Sequence, residues 1–569
     1  MPESPTMTAP APHTAGAPTL SATGDSGRWW ELVIVLIGTF MILLDSTIVN
    51  VAIPSIQATL QASYESIEWV VSGYALAYGL FLVPAGRLGD RFGHKRLFLI
   101  GLAGFTITSA LCGLSQGQDS LVFWRIVQGA MAGIMNPQIM AVIQIAFPPR
   151  ERGRAFGIYG AVIGIATAAG PLVGGLLIAA NIRGLEWEPI FLINIPIGIV
   201  AFIMAVRTLK ESYGRAGSLD FVGIALVSAA VLLLTVPLIE GRALDWPAWT
   251  IVSMIATLPV LAVFAWWELR RVHLGKTPLV DVRLFRNRAF TSGMGIALAY
   301  FGGFVGVFFV ASLLIQNGLG HSALYSGLTV MPFSLGSLVS ASQSDKVARH
   351  LGRNCLTLGT ALVIVGICGL ILTIRATGSS LAGWQLSPWF LIEGVGSGLI
   401  IAPNVSLVLA GVPHQDAGSA SGVLSATQRL GNAIGICLVG IILFGALQTG
   451  ASSAAHGVTD DLRSELAAAG MPATQVDASV TLFTECFERR ANSSDPTAVP
   501  EGCPQPAPHA ADSISTAFER AAATALGENF SIGAQRALLC SLALVVITFF
   551  LIFLLPRRVS AGEMRAPSE

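Results

Sequence analysis

Four charged side chains lie inside long apolar runs: Asp45 within 32–53, Arg125 within 121–147, Glu393 within 386–411 and Arg429 within 420–447. A charge at the centre of a helix in lipid costs about 2.5–3.5 kcal/mol on insertion scales. Such groups are therefore expected to face a protein interior and to pair. A carboxyl held there can take up and release a proton, or meet the charge of a cationic solute. Asp45 is the only charge in its run, and two roles fit it. It takes up a proton from outside, attracts a cationic substrate or does both; or it is structural, satisfied by Thr47 and Asn50. At 1.5 Å per residue Asp45 lies about 20 Å from one edge of a core about 30 Å thick. Arg125 lies about 8 Å from the opposite edge, so the two share a layer. A nearby cation favours the ionised carboxyl, which makes Arg125 the group best placed to tune one. Glu393 is a second buried carboxyl at similar depth. Arg429 could neutralise Glu393 or sit toward the inner end of its helix, and spacing does not choose between these.

The elements that must position these groups are membrane helices. Apolar residues make up 53% of the 569-residue chain and charged residues 12%, about half the charge usual in soluble domains. Apolar runs of about twenty residues recur, and backbone in lipid must satisfy its own hydrogen bonds, so helices are expected rather than barrel strands. Fourteen spans are read, near 30–53, 68–87, 97–115, 121–147, 155–180, 188–208, 219–239, 248–269, 289–316, 324–344, 354–374, 386–411, 420–447 and 533–555. With the N-terminus inside, 23 of the 33 Lys and Arg fall in cytoplasmic segments. That bias predicts a multi-pass plasma-membrane protein with both ends cytoplasmic. The Pro/Ala/Thr/Ser-rich start reads as a disordered tail with no cleaved signal.

An internal repeat organises the spans. A shift of 265 residues lays the fourth and fifth spans on the twelfth and thirteenth, pairing Gly129/Gly394, Gly133/Gly398, Gly153/Gly418, Gly157/Gly422, Gly170/Gly435 and Gly175/Gly440 without a gap. The same shift sets Glu393 on Gln128 and Arg429 on Gly164. The loop GRLGDRFGHKR at 86–96 has a weaker echo in SDKVARHLGR at 344–353. The expected fold is all-α and polytopic, two pseudo-symmetric six-helix bundles plus two inserted central helices, as in a rocking transporter with its site between halves. The divisions expected are a cytoplasmic tail over 1–29, a first bundle over 30–210 and a linker with the two extra helices over 211–288. The first five helices of the second bundle follow over 289–449, then an extracytoplasmic loop over 450–531, the last helix over 532–556 and a cytoplasmic tail over 557–569.

Other patterns suggest supporting roles. Asp90 ends the second span beside Arg91, Lys95 and Arg96. Gly86, Gly89 and Gly93 there permit tight turning and close helix approach. Asp90 could work at a helix N-terminus of the other half by dipole attraction. Gly164, Gly170, Pro171, Gly174 and Gly175 combine close-packing surfaces with a helix breaker, which predicts a bend. Tyr300, Phe304 and Phe308 share a helical face suited to flat hydrophobic substrates or, equally, to lipid. With Asn50 and Gln128 they are candidate pocket lining. Cys486 and Cys503 lie in the outer polar segment, where an oxidising exterior favours a disulfide.

Four stretches together resemble the major facilitator superfamily, and within it the fourteen-span drug:proton antiporters. LDSTIVNVAIP at 44–54 looks like the first-span signature of those exporters, and GRLGDRFGHKR like the superfamily loop motif. RIVQGAMAGIMNP at 125–137 resembles the fourth-span motif, and GIATAAGPLVGG at 164–175 the fifth-span antiporter motif. The loop departs mildly, with Gly89 where Ala is common and His94 where Arg is common. The resemblance implies proton-coupled export of small amphipathic drugs or antibiotics by alternating access, Arg125 acting in proton coupling. It implies that Gly86, Asp90, Arg91, Gly93, Lys95 and Arg96 form a latch between the halves, and that the fifth-span motif biases toward antiport. Substrates would be small amphipathic or cationic molecules, exchanged for protons by a monomer. A dedicated exporter of one metabolite, lipid or amino acid is the alternative, and a non-transport membrane sensor a remoter one. No enzyme activity, cofactor, metal or nucleic acid is expected. Nor is ATP, since Arg270 stands where a phosphate loop ending in Gly275, Lys276 and Thr277 needs glycine. A proton moving down about 100 mV yields roughly 2.3 kcal/mol, enough with a pH gradient to drive export.

Overall fold

The computed structural model describes residues 25–555 except 63, 215–219, 242–243, 245, 277, 411, 414–416, 492–502 and 504–511. Of the tails expected over 1–29 and 557–569, residues 25–29 are helical instead, and the rest, with Arg557 and Arg558, lies outside the described residues. Among the described residues there are helices and no strands.

The first half holds α1 (Asp25–Leu60), α2 (Tyr64–Phe92), α3 (His94–Gly113), α4 (Gln118–Ala146), α5 (Pro149–Ala180), the single turn α6 (Pro189–Leu192) and α7 (Asn194–Thr208). The inserted pair is α8 (Phe221–Glu240) and α9 (Ala248–His273), which pack on each other, with α8 also against α2. The second half holds α10 (Arg288–Leu313), α11 (Ala323–Leu351), α12 (Asn354–Thr377), α13 (Ser387–Ala410), α14 (Ala417–Gly457) and α17 (Asp512–Ile552). Thirteen helical segments among the described residues are long and apolar enough to cross a membrane. The remaining long helix of the first half, α5, spans 32 residues.

The segment expected as an outer loop is largely helical instead. α14 and α17 run on past their expected ends, and α15 (Thr459–Ala468) and α16 (Ala473–Ala491) fill the space between them. Val458, Leu462, Leu466, Val476, Val480, Ala517, Ala521 and Ala525 are buried there together in an apolar core of their own. Cys486 and Cys503 are joined in a disulfide, with Cα atoms 5.6 Å apart.

The repeat extends from glycine positions to packing. α2 lies on α14 and α5 on α11, the two seams between the halves. Gly157 rests against the Ala341 carbonyl of α11, and its repeat mate Gly422 against the Leu82 carbonyl of α2. Gly153 packs on Asp345, and its mate Gly418 on Asp90 and the Gly86 carbonyl. A side chain at any of these glycines would strike backbone or carboxylate, so the seams need Gly. We call the end carrying Asp90 and residues 150–154 the basic end. There Val405, Val408, Leu409, Ala420 and Leu424 of the second half join the apolar core of the first.

Candidate functional site

Asp45 sits on α1, fully buried, where α1, α4 and α7 converge. Arg125, on α4, donates through Nη1 to Asp45 Oδ2 at 2.6 Å. Gln128, one turn along α4, donates through Nε2 to Asp45 Oδ1 at 2.9 Å and accepts from Arg125 Nη1 at 2.8 Å. Asn194, at the start of α7, donates to Asp45 Oδ1 at 3.4 Å and to Ser109 Oγ at 3.0 Å. Arg125 Nε also donates to the Val70 carbonyl at 3.0 Å, and its guanidinium lies 4.2 Å over the Tyr74 ring. The spacing of three between Arg125 and Gln128 puts both on one face of α4, so both reach the same carboxylate. Their shared depth with Asp45, expected from helix rise, is what the fold provides. Thr47 bonds instead to the Leu43 carbonyl at 2.9 Å, and the Asn50 side chain lies outside the described residues. The charge of Asp45 is thus neutralised inside the first half by Arg125. Asn194, Ser109 and Tyr74 were not singled out from sequence, although a lone Asn opening an apolar span was a visible signal.

Glu393, on α13, is the opposite case. It is fully buried, and among the described residues neither carboxyl oxygen has a hydrogen-bond partner. Its Cβ packs where a side chain on Gly366 of α12 would stand. Arg429 does not neutralise it. That guanidinium turns to α2, where Nη2 donates to Tyr78 Oη at 3.0 Å. One turn beyond Glu393, Ser397 accepts from the Tyr300 hydroxyl at 2.7 Å. Tyr300 stacks on Phe304 at 5.5 Å, and Phe308 meets Phe333 at 4.8 Å. These aromatics therefore form packed interior of the second half, with Tyr300 and Phe304 6% exposed or less.

Asp90 occupies the N-terminus of α14 across the seam. Oδ1 accepts from the Gly418 amide at 3.0 Å and Oδ2 from the Ser419 amide at 3.1 Å. Arg87 and His94 each approach the same carboxylate to 3.5 Å. Orphan amides and the helix dipole make this a natural anion position. His94 is held in turn by Gln138 at 2.8 Å. Gly93, at φ +104°, adopts a turn that only glycine takes easily. Lys95 donates its amide to Glu211 at 3.0 Å, and Arg96 pairs with Glu211 at 3.6 Å on the surface. Arg91 is exposed and stacks near Phe92.

On α5, Gly170 and Gly174 pack against Thr47 and Ile48 of α1, and Gly164 against Ser337 of α11. Ser334 donates to the Gly164 carbonyl at 2.8 Å. Gly175 lies in ordinary contact with Leu324, while the Pro171 side chain lies outside the described residues. α5 is one helix from Pro149 to Ala180, and its glycines act as a thin slab between the neighbours that carry Asp45 and the second half.

Residues 35–436 match the model of the Major Facilitator Superfamily. The chain is 37% identical over 540 residues to the "Probable actinorhodin transporter" of Streptomyces coelicolor, covering 94% of this chain and 93% of that one. It is 33% identical over 426 residues to the tetracenomycin C resistance and export protein of Streptomyces glaucescens, covering 74% and 77%. Among solved structures, the human organic anion transporter MFSD10 superposes with a TM-score of 0.56 at 12% identity, over 92% of this chain and 99% of that one. Half-for-half repeat, glycine seams and family match agree. This chain is a membrane protein of the major facilitator superfamily, related to exporters of antibiotics and drugs.

Proposed function

We propose that this protein is a proton-coupled antiporter that exports small amphipathic molecules, antibiotics among them, by alternating access. The observation that carries this is the buried Asp45–Arg125 pair at 2.6 Å, an ionisable pair inside the membrane-spanning helices that rigid packing does not require. A proton arriving at Asp45 cancels the charge that neutralises Arg125. Losing one partner of a buried ion pair costs about 3–5 kcal/mol, so the proton-loaded site favours another arrangement of α1, α4 and α7. Glu393 supplies a second carboxyl in the other half. Among the described residues it has no donor or cation beside it, and a charge buried without a partner is costly.

Asp90 at the α14 N-terminus acts as the latch of the basic end, closed when its two amide bonds form. That end faces the cytoplasm of a plasma-membrane protein whose two termini are inside. The cycle needs a proton gradient and no cofactor, and one chain holds both halves.

Efflux of a dye and antibiotic panel from a pump-deficient host, with and without an uncoupler, tests this. Extrusion that survives the uncoupler, or no extrusion of any compound, would refute it.

A further inference from the structure

Arg429 lies twelve residues into α14, about 18 Å from the basic end by helix rise and so near mid-bilayer. It is partly exposed, on the seam where α14 meets α2. Its Nη2 donates to Tyr78 Oη at 3.0 Å, and its Cζ stands 4.4 Å over the Tyr78 ring. Among the described residues it has no other hydrogen-bond acceptor and no carboxylate partner. The two carboxyls buried at comparable depth are accounted for elsewhere: Asp45 is bonded to Arg125, and Glu393 is sealed against α12. A guanidinium has five N–H donors in a planar fork suited to an oxyanion, and here one is used within the protein. A cation placed between halves in lipid without a counter-ion is costly and unexplained by one neutral phenol.

We propose that Arg429, held by Tyr78, binds the oxyanion of a planar aromatic substrate, so that the transported species is an aromatic anion rather than a cation. This rests on the export cycle proposed above and names its substrate class. The carboxylate or ionised phenol takes the free edge of the guanidinium, while Tyr78, buried at 2% exposure, fixes the fork through its hydroxyl and ring. Asn136 of α4 and Ser425 of α14, bonded across the seam at 3.2 Å one turn below, form its polar floor.

The site is also physically joined to the proton site. Arg125 lies 4.2 Å over Tyr74, Tyr74 and Tyr78 stack with rings 6.1 Å apart and 3° from parallel, and Arg429 caps Tyr78. Any shift of Arg125 when Asp45 changes charge moves the ring against which the Arg429 contact is built.

The test uses three probes with one ring system: pyrenebutyrate, neutral pyrenebutanol and a pyrenebutyl-trimethylammonium. Binding to the purified full chain is read by fluorescence anisotropy, and uptake into proteoliposomes is driven by an imposed pH gradient. Wild type should prefer pyrenebutyrate in both assays. Arg429→Gln should weaken pyrenebutyrate binding about tenfold or more, the scale of a lost charge-assisted hydrogen bond. Pyrenebutanol should change by less than about twofold. Arg429→Lys, which keeps the charge and loses the fork, should fall between and shows that Gln has not simply misfolded the protein. Equal pyrenebutyrate affinity in wild type and Arg429→Gln, or a wild-type preference for the cation, overturns the anion site. Binding of pyrenebutyrate without gradient-driven movement of any probe would instead overturn the export cycle and leave the anion site standing.

Discussion

Asp45→Asn separates the structural from the coupling role of the carboxyl. The substitution is nearly isosteric, and in isolation it removes a charge from lipid. The structure makes it costly, because Asp45 is the counter-ion of Arg125, itself 1% exposed. Losing one member of a buried pair costs about 3–5 kcal/mol. The asparagine oxygen still accepts from Nη1, and Arg125 keeps its bonds to Val70 and Gln128 Oε1. The new NH2, however, faces the donors Gln128 Nε2 and Asn194 Nδ2, so a loss of about 3–5 kcal/mol is expected. Asp45→Asn with Arg125→Gln removes both charges and should recover most of that loss, since the penalty lies in the orphaned cation. Thermal unfolding in detergent, followed with a thiol-reactive dye at buried Cys112 and Cys355, measures both. Uncoupler-sensitive efflux should be absent from the single and the double variant alike. Asp45→Glu should keep part of it. If Asp45→Asn melted with wild type, or the double variant melted no higher than the single, the two side chains would not be energetically coupled. Wild-type efflux by Asp45→Asn would pass the proton-carrying role to Glu393.

Glu393→Gln should not destabilise the protein, because no partner is lost, yet it should reduce proton-driven efflux; a drop in melting temperature comparable to that of Asp45→Asn would contradict this. Asp90→Ala leaves the Gly418 and Ser419 amides and Arg87 without their acceptor and should cost about 1–2 kcal/mol in the arrangement closed at the basic end. Cysteines placed at the two ends of that seam should then be alkylated faster than in the parent. Cys486→Ser with Cys503→Ser should lower the stability of the outer helices by about 3 kcal/mol while leaving efflux within about twofold, measured by limited proteolysis and dye extrusion. Reporters fused after Gly450 and after Arg558 should read outside and inside respectively; either one reversed would overturn the orientation.

The shared depth of Asp45 and Arg125 was legible because helix rise and bilayer thickness fix depth. Gln128, named only as pocket lining, was not read as a partner although it lies three residues from Arg125 on the same face. The position of Asp90 at a helix N-terminus followed from the same local physics. What one helix presents to another far along the chain was not legible. Tyr78 lies 351 residues from Arg429, and nothing in the spacing says that Arg429 turns toward α2 and away from Glu393. The isolation of Glu393 is likewise a fact about α12 and α13 packing. The aromatic face of Tyr300 and Phe304 had the right periodicity, but periodicity does not distinguish a pocket wall from a packed interior. The outer segment was a different failure. Val458, Leu462 and Leu466, then Val476 and Val480, recur at four-residue spacing, a helical signal hidden within a polar composition.

α14 and α17 are each 41 residues long, about 60 Å at helical rise and twice the apolar thickness of a bilayer. Both belong to the second half, and among the described residues α15 and α16 pack on them and on each other. In a rocking cycle that opens and closes the basic end, the pivot lies near the depth of Arg429, and the outer domain is a lever arm of roughly 40 Å beyond it. Each degree of tilt sweeps the tip by about 0.7 Å, given an arm of that length. A movement too small to resolve at Arg429 would be magnified there, making this domain the natural pointer for timing the cycle in single molecules. By the same mechanics, a ligand clamping the pointer to the first half would stall transport without approaching the site.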